Sequence, residues 1–111
     1  MSRDWRLYWN DILTFCEKVE RYVGSRDREQ FERDEMLYDA VLRNIELIGE
    51  AVARLPPHAR TLAPSVPWRQ ISGMRNVLAH AYFGVNKDIV WDIVAKELPS
   101  LAHDMRAVGP I

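Results

Sequence analysis

Arg75-Asn76-Val77-Leu78-Ala79-His80-Ala81-Tyr82 sets a permanent cation, an imidazole and a phenol within eight consecutive residues. An imidazole titrates near neutral pH and can move protons, while a guanidinium stays charged and grips two phosphate oxygens at once. These are parts needed to break a phosphodiester without a metal. On a continuous helix of 3.6 residues per turn, positions 75 and 80 lie about 140° apart around the axis. Arg75 and His80 therefore converge only if the helix loosens near His80 or if a second subunit brings its own copy alongside. Asn76 and His80, four apart, share a face. Asn76 is thus a candidate to orient the imidazole or to touch a phosphate.

Other chemistries are poorly supported. His58, His80 and His103 are widely spaced, and the sequence has no Cys/His cluster or H-x-x-x-H pair of the kind that holds zinc. Cys16 is the one cysteine. It has no base near it in sequence and falls on an apolar helix stripe, so it reads as a small core residue in a reducing cytoplasm. His58 follows Pro56-Pro57 in a basic loop, where it is either a phosphate contact or a plain surface histidine. No apolar run reaches membrane-spanning length, and the N-terminus lacks a signal-peptide core.

The formal net charge of −1 argues against coating nucleic acid by bulk attraction, but its distribution is uneven. From Ala51 to Lys87 there is no Asp or Glu, while Arg54, Arg60, Arg69, Arg75 and Lys87 give that segment a charge of +5 and leave −6 for the rest. Either a loop-rich segment happens to lack acids, or a positive field surrounds the motif. Arg69 and Lys87 are then candidate RNA contacts.

The elements that must position these residues are helical. At 111 residues, 48% hydrophobic and 28% charged, the chain is expected to form one soluble domain over residues 1–111. Trp5, Trp9, Ile12, Cys16, Val19 and Val23 stripe a first helix ending at Gly24. Residues 25–33, polar apart from Phe31, read as a solvated connector, with or without one short helical turn. Asp34 caps a second long helix striped by Leu37, Val41, Asn44, Ile48, Ala51 and Leu55 and stopped by Pro56-Pro57. Asn44 interrupts that stripe and is either satisfied within the core or turned toward the site or a partner subunit.

A weakly helical segment follows to Ala63, and Ser65 and Pro67 start a third main helix that carries the motif to Leu78 or His80. Gly84 breaks it and Asn86 caps the next. Val90, Val94, Leu98, Leu101, Met105 and Val108 stripe the last helix, which Pro99 should kink or split. The four tryptophans fill the core or supply an interface. The expected architecture is all-α, a bundle of four to five helices.

The spacing Arg, four residues, His, one residue, Tyr resembles the R-x4-H-x-Y signature of HEPN domains. Pro67-Trp68-Arg69-Gln70-Ile71, Phe83-Gly84-Val85, Ile89-Val90-Trp91 and Asn44-Ile45-Glu46-Leu47-Ile48-Gly49-Glu50-Ala51 narrow the resemblance to the HepT-like branch, strongly over residues 34–95. That resemblance implies a homodimer whose paired motifs line one cleft. It also implies the toxin half of a toxin–antitoxin module, in which Arg75 and His80 carry catalysis of RNA cleavage through the 2′-hydroxyl. The implied partner is an MntA-type nucleotidyltransferase antitoxin that transfers AMP to the motif tyrosine, Tyr82. No cofactor is implied, since ATP serves only as the AMP donor. Tyr82 equally admits a packing role at the helix end. From another class, the chain could be a noncatalytic helical dimer that binds a nucleotidyltransferase and presents a nucleotide to it. A plain dimerisation subunit is a third option, which leaves the acid-free segment unexplained.

Overall fold

The computed structural model describes the backbone of residues 3–81 and 86–111, and the side chains of residues 3–76 and 86–111. Every element among them is helical: α1 (Trp5–Val23), α2 (Arg28–Arg33), α3 (Glu35–Ala53), α4 (Pro57–Arg60), α5 (Trp68–Ala81), α6 (Lys87–Asp92) and α7 (Leu98–Val108), with a π-helical turn, Ile93–Glu97, joining the last two. The all-α expectation holds. Four long helical runs form the bundle, and α2 and α4 are short additions to it.

The helix ends follow from local chemistry. Asp4 accepts from the Arg6 backbone N–H at 3.0 Å and starts α1. Gly24, at a φ of 56°, closes it while its N–H still bonds the Glu20 carbonyl. Asp34 caps α3 by accepting from the Leu37 N–H at 3.1 Å, as expected. Asn86 does occupy the N-cap position of α6, but its side chain makes no capping bond. Gly84, the expected helix breaker, lies outside the described residues.

One expectation needs correction, and a second is met in a particular form. The segment before Asp34 is not a solvated connector: Asp27 and Gln30 close a capping box at 2.9 and 3.0 Å and start a six-residue helix. That helix drives Phe31 into the core, fully buried, with ring centroids 5.3 Å from Tyr38 and 5.7 Å from Trp91. Pro99 does disturb the last helix, as expected, and the disturbance is a π turn and not a break in the chain of helical residues. The proline lacks the N–H that would bond the carbonyl four residues back, and the strain is absorbed upstream, where the Leu98 N–H bonds the Ile93 carbonyl five residues away. The wider turn keeps Val90, Val94 and Leu98, spaced four apart, on one buried face.

One apolar cluster runs through the bundle, with Trp9, Ile12, Val41, Ile45, Ile48, Val52, Ile71, Val90 and Met105 all but inaccessible. All four tryptophans pack on it, Trp9 and Trp68 buried and Trp5 and Trp91 partly so. Cys16 is a core residue, and burial pushes its thiol up to about 12. An unfolded thiol ionises near 9.0, so Cys16 contributes stability below that pH which is lost as pH rises from there toward 12. Among the described residues no helix is long and apolar enough to cross a membrane.

Phe31→Ala should lower the unfolding free energy by about 3 kcal/mol, because it empties an aromatic-lined site. Urea denaturation followed by circular dichroism measures this. A loss below about 1 kcal/mol, the scale of a surface change, would show that α2 is a peripheral attachment.

Candidate functional site

The helix that carries the motif is fixed at its start. The Trp68 indole N–H donates to the carbonyls of Arg60 at 2.9 Å and Ala63 at 3.1 Å, tying the first turn of α5 to the end of α4. The Trp68 ring also lies 5.7 Å from Trp9 of α1. Ile71 and Met74 then face the core, and α5 packs chiefly on α3. On the flank, the Gln70 amide donates to Glu97 at 3.1 Å and links α5 to the π turn.

Arg75 emerges where α5 crosses α3. A Cβ placed on Gly49 of α3 would sit 2.7 Å from Arg75 Cγ and 3.5 Å from both Arg75 Cδ and the Arg75 backbone nitrogen. Any larger residue at 49 would therefore drive the arginine stem away. Glycine in a helix interior costs about 0.5 to 1 kcal/mol relative to alanine, and here the cost admits the close crossing. Arg75 remains exposed beyond that contact and makes no ion pair or hydrogen bond among the described residues. The sequence alone did not assign Gly49 this role; its only mark is a glycine inside an otherwise strong helical pattern.

The backbone of α5 is α-helical through His80 to Ala81. Loosening of the helix, one of two routes to convergence, is therefore not what the backbone does. Position 80 stays about 140° around the axis from Arg75. Asn76 is exposed and shares the face of position 80. The His80 side chain and the whole of Tyr82 lie outside the described residues.

The five central cations have different fates. The Arg60 guanidinium donates to the Val52 carbonyl at 3.0 Å, meeting the carbonyl end of α3. Arg54 is the exposed C-cap of the same helix. Arg69 is exposed on α5, and Lys87, the first residue of α6, lies 5.9 Å from the Tyr38 ring centroid. Burial, with the charges of Glu32 and Asp39, raises the Tyr38 phenol above its usual range. Asp88, the neighbour of Lys87 in sequence, pairs with Arg28. Asn44 turns inward, its amide donating to the Ala40 carbonyl at 2.8 Å while Oδ1 is buried without a partner among the described residues.

Elsewhere, a cavity of about 340 Å³ between α1 and the last helical run is lined by Cys16, Val19, Val94, Leu98 and Arg106 among others, none of its described lining residues coming from α5. Among the described residues no three His, Cys, Asp or Glu side chains gather as a metal site.

Comparison with known proteins gives this geometry its context. The family model described as "Ribonuclease HepT-like" matches residues 12–108. "Putative RNase TTE0752" of Caldanaerobacter subterraneus subsp. tengcongensis is 41% identical over 93% of this chain and 92% of its own length. "Probable ribonuclease HepT" of Thermococcus cleftensis is 38% identical over 91% of this chain and 92% of its own. "Gamma-glutamylcyclotransferase and putative RNase MJ0434" of Methanocaldococcus jannaschii is 36% identical over 95% of this chain, which spans only 47% of that longer protein. No solved structure matches the chain significantly.

Gly49→Ala should leave the helical circular dichroism in place and hold stability within about 2 kcal/mol of the parent, since helix propensity and crowding oppose each other. The Arg75 Nε–Hε resonance should nevertheless move. An unshifted resonance means that α3 yields and that the crossing does not set the arginine.

Proposed function

This chain belongs to the HepT-like ribonuclease family, and on that premise we propose that it is a metal-independent endoribonuclease in which Arg75 and His80 act on one phosphodiester. The observation that carries the reading is Arg75, exposed and unpaired among the described residues yet held at its stem against Gly49. A guanidinium kept without a protein partner is suited to an incoming anion.

In the proposed reaction the His80 imidazole takes the proton of a ribose 2′-hydroxyl as that oxygen bonds to the adjacent phosphorus. Arg75 stabilises the charge gathering on the nonbridging oxygens. The bond from phosphorus to the 5′-oxygen breaks, and that oxygen takes up a proton. The products are a 2′,3′-cyclic phosphate and a free 5′-hydroxyl. DNA lacks the nucleophile and is not cut by this route. Asn76, one turn before position 80 and on its face, orients the imidazole or the phosphate, and Arg69 and Lys87 extend the RNA contact.

The unbroken α5 supports a homodimer. Since positions 75 and 80 point apart on one rigid helix, a cleft containing both groups is most simply assembled from two copies. The family resemblance adds control: an MntA-type nucleotidyltransferase antitoxin would transfer AMP to Tyr82, placing a phosphodiester and an adenosine beside Arg75 and His80 and closing the site to RNA. ATP enters only as that donor. In this reading the chain is the toxin of a cytoplasmic toxin–antitoxin pair.

Purified, unmodified protein should cut RNA in the presence of EDTA, and Arg75→Ala and His80→Ala should each lower turnover by about 10² to 10³. Cleavage that persists in both folded variants would assign the activity elsewhere. Co-expression with the partner enzyme should add whole AMP increments to the intact mass, and these should vanish in Tyr82→Phe.

A further inference from the structure

Gly73 lies in the interior of α5, where glycine weakens a helix relative to alanine. At Gly49 the reason for a glycine is visible inside the chain. At Gly73 it is not: among the described residues a Cβ there would meet nothing within 4 Å, and the backbone is not in the left-handed region that favours glycine. Among the described residues the bare backbone leaves room there for a group from outside this polypeptide.

The neighbours of Gly73 indicate what that is. On a helix of 3.6 residues per turn, Arg69, Gly73, Asn76 and position 80 fall within an arc of about 60°. Trp68, Ile71 and Met74 occupy the opposite, buried side. Arg69 and Asn76 are both exposed. None of the exposed large apolar side chains, Leu7, Met36, Leu62, Ile89 and Ile111, belongs to α5, so among its described residues the face lacks the apolar centre around which protein interfaces form. It also lacks acids, none occurring between Ala51 and Lys87. Glu97 approaches only the flank, where Gln70 engages it. A second copy laid over the Arg69 and Gly73 end of this face would bring like charge without counter-charge from the same segment, whereas the copy that completes the proposed cleft meets only the position 80 end. A polyanion supplies what is missing.

We propose that the RNA backbone crosses α5 directly over Gly73, close enough that a Cβ would obstruct it, with Arg69 holding a phosphate at one end of the track and Asn76 and position 80 working at the other. The track rests on the ribonuclease reading above and gives it a direction. Arg69 and position 80 are about 16 Å apart along the axis, at 1.5 Å per residue, a length that a strand covers in a few nucleotides. Gly73 is a positioning residue here and takes no part in bond breaking.

The test separates stability from binding. The probe is a single-stranded 2′-O-methyl RNA, which carries phosphates but no nucleophile, titrated against full-length protein by fluorescence anisotropy. Gly73→Ala should raise the melting temperature by about 2 to 8 °C, because alanine fits the helix and narrows the unfolded ensemble. It should nevertheless weaken RNA binding, and Gly73→Leu should weaken it by about tenfold or more, the scale of a steric conflict. Arg69→Ala should reduce the slope of log affinity against log salt by about one. Ala107→Leu, exposed on α7, controls for added bulk and should change neither quantity.

Binding by Gly73→Leu that matches the parent overturns the track. So does a change in oligomeric state on light scattering, which would assign the close approach to a second copy. The two readings fail separately. A parent that binds the probe through Gly73 but cuts no unmodified RNA keeps the track and loses the nuclease. A parent that cuts RNA with indifference to Gly73 does the reverse.

Discussion

The close crossing of α3 and α5 is the constraint on which the site depends. With Gly49 bare, the Arg75 stem lies directly against α3. The same approach seats Ile71 and Met74 in the core and turns the face bearing Arg69 and Asn76 toward solvent. A methyl group at the crossing would move the arginine first, because its Cγ is the nearest atom. Side-chain position and helix packing are therefore one problem. The Trp68 indole fixes the remaining freedom by holding the start of α5 against two carbonyls of the preceding segment.

The acid-free segment is divided between architecture and site. Arg60 is spent on the fold, its guanidinium meeting the unpaired carbonyl end of α3. Arg69 and Arg75 are left on α5 facing water. Exposed like charges on one helix would ordinarily attract acidic neighbours, and the wider chain has sixteen acids to offer. The described ion pairs all lie elsewhere, Asp11 with Arg3, Glu32 and Asp88 with Arg28 and Glu46 with Arg43 among them, and Glu97 reaches α5 only at Gln70. Arg69 and Arg75 thus keep no ion pair among the described residues, which suits the proposed phosphate-binding surface.

Burial at helical period made the long helices legible in the sequence. Val41, Ile48, Ala51 and Leu55, or Trp9, Ile12, Cys16 and Val19, repeat too regularly to be anything else, and Asp34 is an unambiguous cap. Phe31 was not legible in the same way. One apolar residue among polar ones has no period, and its burial depends on Tyr38 and Trp91 arriving from distant parts of the chain. Pro99 announced a disturbance, but the form that disturbance takes depends on which face of the last helix must stay buried. At the site, Arg75 and Asn76 could be named from residue type and spacing. Gly49 and Gly73 could not, since a helical glycine looks alike in sequence whether it admits a neighbouring side chain or leaves a surface open.

The rigidity of α5 also shapes how the proposed chemistry is assembled. A loop would let an arginine and an imidazole swing together in one chain, whereas an intact helix holds their Cα positions about 140° apart. Bending α5 inward would break backbone hydrogen bonds and unseat residues packed on α3, and neither loss is offset within the chain. Bringing a second α5 alongside costs only association. For groups fixed on separate sides of a helix, assembly is therefore the cheaper route to convergence. In the proposed homodimer the complete cleft would be a property of the pair, so that any group added beside the motif on either copy would obstruct a site that both copies share.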